Sequence, residues 1–77
     1  MKIIENSECL LGFGEFIRDR RDSLGIYQQD IASKLGISQV YYSQIERGHR
    51  NVDLVLALKI CQVLKLDLND FIKTYLQ

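Results

Sequence analysis

The chain is 77 residues long, 47% hydrophobic and 26% charged, and its ten basic residues balance its ten acids. That size allows one domain around a single small core, with the composition of a globular protein and not of a disordered one. No apolar run approaches ~20 residues, so no membrane span is expected. Acids within MKIIENSECLLG interrupt the apolar stretch a secretory leader needs, so a cytoplasmic location is expected.

The chain has no proline, five glycines and no long alternating β-branched run, which favours an all-α bundle. Residues 1–12 show no clear period and read as an N-terminal arm ahead of a domain spanning 13–77. Ile3, Ile4, Leu10 and Leu11 either dock on the body or a second subunit, or belong to a disordered tail. The first helix is predicted from about Phe13 to Ser23, with Phe13, Ile17 and Leu24 on one face and Gly25 as its C-cap. Arg20 interrupts that stripe. Its stem either lies over the core edge with the guanidinium outside, or it pairs with an acid.

The most specific segment is QQDIASKLGISQVYYSQIER, residues 28–47. It reads as a helix over Gln28–Leu35, a glycine turn, and a second helix over about Gln39–Arg47 closed by Gly48. Ile31 and Leu35 form an apolar stripe, and Ala32 beside it permits close helix approach. Gly36 sits where the chain must reverse with positive φ. Ile37 plugs the turn into the core, Ser38 is a good N-cap, and Tyr42 and Ile45 hold the second helix down by one face. The opposite face carries Gln39, Val40, Tyr41, Ser43 and Gln44, short of charge and rich in groups that touch base edges.

His49–Asn51 read as a loop. Asp53 is the expected N-cap of a fourth helix with Leu54, Ala57, Leu58, Cys61 and Leu64 buried, although Val55, Leu56, Ile60 and Val63 make it apolar over more than one stripe. Asp67 and Asp70 resemble a capping box opening a fifth helix over about Leu68–Tyr75. The expected architecture is therefore a compact five-helix bundle containing a helix-turn-helix, with no repeat and no low-complexity segment.

Cys9 and Cys61 are too few and too far apart for a metal knuckle or a CxxC redox pair. With a single histidine, His49, no metal ligand set, nucleophile–base pair or phosphate loop can be assembled, so neither enzyme nor cofactor is expected, and no small-molecule site is evident. Between Phe13 and Val52 the chain has six basic residues against five acids. A nucleic-acid partner then requires charge sorted by face and contacts that depend on fit.

In this order of elements the chain resembles the lambda-repressor-like DNA-binding domain of the Cro/XRE family over about Phe13–Ile72. The resemblance rests on FGEFIRDRR, GIYQQDIA, LGIS, IERG and LKLDLNDF in sequence order. The chain departs from the family's pattern at Arg20, Tyr27, Tyr42 and Val52. Tyr27 and Tyr42 either contact phosphate through their hydroxyls or fill the core.

The resemblance implies a sequence-specific transcriptional regulator, expected to be a repressor, that binds a pseudo-palindromic double-stranded DNA operator as a homodimer. Gln39 would enter the major groove and pair bidentately with adenine, Gln44 would reach the next bases or the backbone, Val40 would meet a thymine methyl, and Tyr41 and Ser43 would flank them. Gln28, at a helix N-terminus, together with Ser38, Arg47, His49, Arg50 and Asn51, is expected at the phosphates. His49 also reads simply as a solvated loop residue. Arg21 and Glu46 correspond to a buried structural ion pair in family members. Apolar surplus on the last two helices points to a dimer interface at Leu68, Ile72, Tyr75 and Leu76, or to a monomer whose tail covers the patch. The alternative function is a protein-interaction or antitoxin-like module that keeps the fold without reading DNA.

Overall fold

A computed structural model describes residues 6–75, all five elements of which are helices: α1 (Asn6–Leu24), α2 (Gln28–Leu35), α3 (Gln39–Glu46), α4 (Leu54–Leu64) and α5 (Leu68–Tyr75). Ile3, Ile4 and Leu76, which figured in the expectations above, lie outside the described residues. Phe13, Ile17, Ile31, Ala32, Tyr42, Ile45, Ile60, Cys61, Leu64 and Phe71 are buried together and join all five helices in one core.

The first helix already includes Asn6, seven residues before the expected start. Residues 6–12 therefore belong to α1. Their helical state comes from tertiary contact: Cys9 packs against the core, and Cys9 and Leu10 line a cleft with Val52, Leu54 and Leu68. The Tyr75 hydroxyl donates to the Glu8 carbonyl across the end of the bundle. Gly12 and Gly14, poor helix formers on their own, are the points of closest approach. A β-carbon at Gly12 would overlap the Tyr75 ring, and one at Gly14 would overlap the Ile45 and Glu46 carbonyls of α3.

The α2–turn–α3 unit follows from local chemistry. Gly36 takes φ 72°, the left-handed conformation that costs a glycine no Cβ clash. Ile37 N–H then donates back to the Ala32 carbonyl at 3.0 Å, closing the end of α2. Ser38 Oγ accepts from Tyr41 N–H at 3.1 Å and caps α3. Ala32 is 2% exposed, so its small side chain sits in the contact.

Asp53 caps α4 by accepting from Leu56 N–H at 2.8 Å, and Asp67 caps α5 by accepting from Asn69 N–H at 2.9 Å. The buried face of α4 differs from the expected one. Cys61 and Leu64 are buried, but Leu54 and Leu58 are 66% and 49% exposed, and Ile60 is buried instead. The helix is apolar nearly all round, so its periodicity fits two faces, and packing on its neighbours selects one of them.

Arg20 resolves in neither of the two expected ways. Its Nε donates to the Leu64 carbonyl at 3.0 Å, satisfying a last-turn acceptor of α4, where a cation also suits the helix dipole. The last helix is docked by aromatic contacts. Phe71 meets Phe13 edge-on at 5.6 Å between centroids, lies 5.5 Å from Phe16 and stacks on Tyr75 at 5.2 Å. Both cysteines are free, and burial raises the Cys61 thiol pKa, which keeps it protonated.

Replacing Gly14 with alanine tests the α1–α3 approach. Helix propensity alone would stabilise this variant, but the added methyl meets backbone that cannot move aside. Stability is expected to fall by about 1–3 kcal/mol, with Tm dropping roughly 4–8 °C for each kcal/mol. Thermal melts showing an unchanged or raised Tm would refute the contact.

Candidate nucleic-acid interface

The outward face of α3 is fixed by what its inward face holds. Tyr42 and Ile45 are 0% and 1% exposed, and Glu46 is buried at the end of the same helix. Arg21, from α1, donates from Nε to Glu46 Oε2 at 2.6 Å and from Nη2 to Glu46 Oε1 at 3.0 Å. This is a bidentate, charge-assisted pair. Arg21 Nη1 also donates to the Ile26 carbonyl at 2.9 Å, and Gln28 Nε2 donates to Glu46 Oε1 at 2.8 Å. One carboxylate thus joins the end of α1, the α1–α2 turn, the start of α2 and the end of α3.

Burial pushes the Glu46 carboxyl pKa up, but the hydrogen bonds from Arg21 and Gln28 outweigh it and hold it below its ordinary range. The Arg21 guanidinium is held in its charged form chiefly by its hydrogen bond to Glu46, against the opposing effect of burial. The Tyr42 phenol lies beside the pair, and burial, then the Glu46 carboxylate, raise its pKa so that it stays neutral. Tyr42 therefore fills the core and is removed from any phosphate, whereas Tyr27 is 77% exposed at the mouth of α2.

On the outer face, Gln39 is exposed and Val40 is 67% exposed. Ser43 and Gln44 are half-buried. Tyr41 is drawn further in than its place in the row suggests, with its ring packed against the core. The loop after α3 turns back over this face. Gly48 takes φ 74°, and His49 N–H donates to the Gln44 carbonyl at 2.8 Å. Arg50 then donates from Nε to Gln44 Oε1 at 2.7 Å, with its guanidinium carbon 5.2 Å from the Tyr41 ring centroid.

The structure thus brings Gln39, Val40, Tyr41, Ser43 and Gln44 into one surface and adds Arg50 to it. Arg47, His49 and Asn51 are exposed at its edge. Ser38 is exposed at the N-terminus of α3, with its hydroxyl oxygen engaged as the cap. The Gln28 side chain turns inward to Glu46, leaving the first-turn backbone N–H groups of α2 as that helix's means of meeting an anion. Sequence reasoning placed Arg50 in the loop and missed its fold-back. The signal for it was a Tyr and a Gln at i, i+3 spacing followed by a glycine and then an arginine.

On α5, Leu68 and Tyr75 are half-buried within the chain, Tyr75 against α1. Ile72 remains 41% exposed beside Leu58 on a shallow groove between α4 and α5. Among the described residues no group of three or more His, Cys, Asp or Glu side chains is placed to hold a metal ion. No described helix is long and apolar enough to cross a membrane.

Five helices with a capped helix-turn-helix and an outward α3 face define a class, and comparison with known proteins gives the same one. A family model described as helix-turn-helix matches residues 17–71, and the chain belongs to that family, in its Cro/XRE type. It is 35% identical over 65 residues to control protein C.MunI of Mycoplasma sp, an alignment covering 83% of this chain and 88% of that one.

Among solved structures, the restriction-modification controller protein C.AhdI of Aeromonas hydrophila superposes with a TM-score of 0.74 at 34% identity, covering 80% of this chain and 94% of that one. The clp gene regulator ClgR of Corynebacterium glutamicum superposes with a TM-score of 0.79 at 25% identity, covering 83% and 68% of the two chains. The protein is a helix-turn-helix transcriptional regulator of the XRE type, related to restriction–modification controller proteins.

The Glu46 network carries a pH signature. A carboxyl whose folded pKa is depressed contributes its stability in full above its unfolded pKa, roughly pH 4, and loses it as pH falls through the folded value. Urea melts of wild type should therefore show stability declining below that point. Glu46→Gln should cost about 3 kcal/mol at pH 7, because the part-buried Arg21 loses its bidentate partner and keeps only the exposed Asp22 carboxylate at 3.5 Å, and should flatten the acid limb. An acid limb as steep in Glu46→Gln as in wild type would show that other carboxyls carry it.

Proposed function

We propose that the protein binds a pseudo-palindromic double-stranded DNA operator as a homodimer and represses transcription in the cytoplasm. Each α3 enters one major groove, with the half-sites about one helical turn, ~34 Å, apart. The observation that carries this reading is the α3 outer face, an uncharged row, exposed at Gln39 and Val40 and half-buried at Tyr41, Ser43 and Gln44, on a helix clamped from behind by Arg21 and Glu46. Such a row is suited to base edges and would add little to a generic electrostatic attraction.

Gln39 reads adenine through its amide, Val40 packs on a thymine methyl, and Ser43 and Gln44 reach the neighbouring bases. Ser38, Arg47, His49, Asn51 and the first turn of α2 at Gln28 set the register on the phosphates. The kinship with controller proteins supports a role in controlling gene expression alongside a restriction–modification system. The balanced charge of the chain supports the second reading, a protein-interaction module; salt dependence separates the two.

If the dimer neutralises roughly 6–10 phosphates, log K should fall with log salt at a slope of about −5 to −9. The Gln39→Ala, Gln44→Ala double variant should lose preference for its operator over random DNA. A slope near zero in a fluorescence titration would favour the protein-interaction module instead.

The dimer itself is assigned to the α4–α5 face, where Leu54, Leu58 and Ile72 remain 66%, 49% and 41% exposed. Leu58→Glu with Ile72→Asp should leave a folded monomer in sedimentation and weaken operator binding steeply, since the two half-sites are then bound independently. A dimer that survives both charges would place the interface elsewhere.

A further inference from the structure

Arg50 follows the reading helix in sequence but lies across it in space. Two bonds of different kinds hold it there. Its Nε donates to Gln44 Oε1 at 2.7 Å, and its guanidinium sits 5.2 Å from the centroid of the Tyr41 ring. Tyr41 is half-buried against the core, so the ring is a fixed platform and not a mobile surface side chain. The His49 N–H to Gln44 carbonyl bond fixes the backbone one residue before Arg50 to the same turn of α3. The guanidinium is therefore pre-positioned over the row that enters the groove, with much of its rotamer entropy already lost.

This arrangement decides which hydrogen-bonding groups remain to be offered. Gln44 Oε1 spends one of its two lone pairs on Arg50, so its amide NH2 is the part of Gln44 left wholly free. The Arg50 Nε is occupied by Gln44, which leaves the Nη1 and Nη2 fork. The fork that Arg50 leaves outward consists of donors only. The major-groove edge of adenine presents one acceptor and one donor, whereas that of guanine presents two acceptors, N7 and O6. A charged fork that offers only donors matches the two acceptors of guanine and mismatches the donor of adenine.

We propose that Arg50, held by Gln44, reads a guanine in each half-site, with the Nη1–Nη2 fork on O6 and N7 and Tyr41 as its supporting platform. Arg50 is then a specificity-determining residue and not a phosphate contact, and Gln44 positions it. The inference rests on the operator reading proposed above.

The test is selection of bound sequences from a random double-stranded DNA pool by wild type, Arg50→Lys, Arg50→Ala and Tyr41→Leu, followed by titrations of the selected operator across salt. Wild type should select a symmetry-related pair of guanines. Replacing those guanines with 7-deazaguanine, which lacks N7, should weaken wild-type binding about tenfold or more. Arg50→Lys keeps the charge but loses the planar fork, so it should lose the guanine preference at that position alone with its salt slope unchanged. Tyr41→Leu keeps apolar bulk under the loop and should weaken the same preference.

If instead every Arg50 variant retains the wild-type consensus, the proposal is overturned. In that case Arg50→Ala should bind all sequences uniformly less well, with a slope shallower by about 0.9 per subunit, roughly 1.8 for the dimer, as a phosphate contact requires. If wild type selects no consensus at all, the operator reading itself fails, an outcome distinct from the failure of the Arg50 assignment.

Discussion

Arg21 reaches from the end of α1 to a carboxylate that the end of α3 has carried into the core, and three elements meet at that bond. Glu46 accepts two hydrogen bonds from Arg21 and one from Gln28, while Arg21 also holds the Ile26 carbonyl of the α1–α2 turn. A buried ion pair is weak evidence for stability, because desolvation consumes much of the Coulombic gain. Its consequence here is orientation. Rotating α3 about its axis would break a bidentate pair and strand a charge in a site where Glu46 is 3% exposed. The rotation of α3 determines which of its residues face outward, so the reading surface depends on a contact it does not include.

The close approach of α1 and α3 reinforces that constraint from the backbone side. Gly14 lies against the Ile45 and Glu46 carbonyls, where there is no room for a side chain. Charge pairing and steric fit thus act on the same turn of α3, one through the side chain of Glu46 and one through its main chain. Arg20, one residue before Arg21, ties α1 to the last turn of α4. Neighbouring arginines on one helix therefore anchor two different elements, and α1 is the strut on which both the helix-turn-helix and the α4–α5 end are assembled.

Much of this was legible in the residues. Gly36, Ser38, Asp53 and Asp67 carry their structural consequence locally, since a positive φ or a capping oxygen acts within three or four residues. The α2 and α3 boundaries and the inward set Ile31, Ala32, Tyr42 and Ile45 follow from such signals together with one apolar period. Where the local signal is ambiguous, the reading departs from the structure. Helix α4 offers apolar residues on nearly every side, so periodicity alone does not separate the Leu54–Leu58 face from the Ile60 face. The first turns of α1 contain two glycines and no strong period, and they are helical because Tyr75 and the α3 backbone lie against them.

The helical class and the helix-turn-helix were determined by the sequence itself, because caps, turn and apolar period act within one or two turns, whereas the rotation that turns the row from Gln39 to Gln44 outward is held by Arg21 and Glu46, 25 residues apart. Tertiary structure alone decided three things: that α1 extends over residues 6–12, which face of α4 is covered, and where Arg50 lies. Each of these is a competition between conformations that are nearly equal locally. Partners brought together by folding settle each one: Tyr75 on Gly12, the core around Ile60, and Tyr41 with Gln44 beneath Arg50.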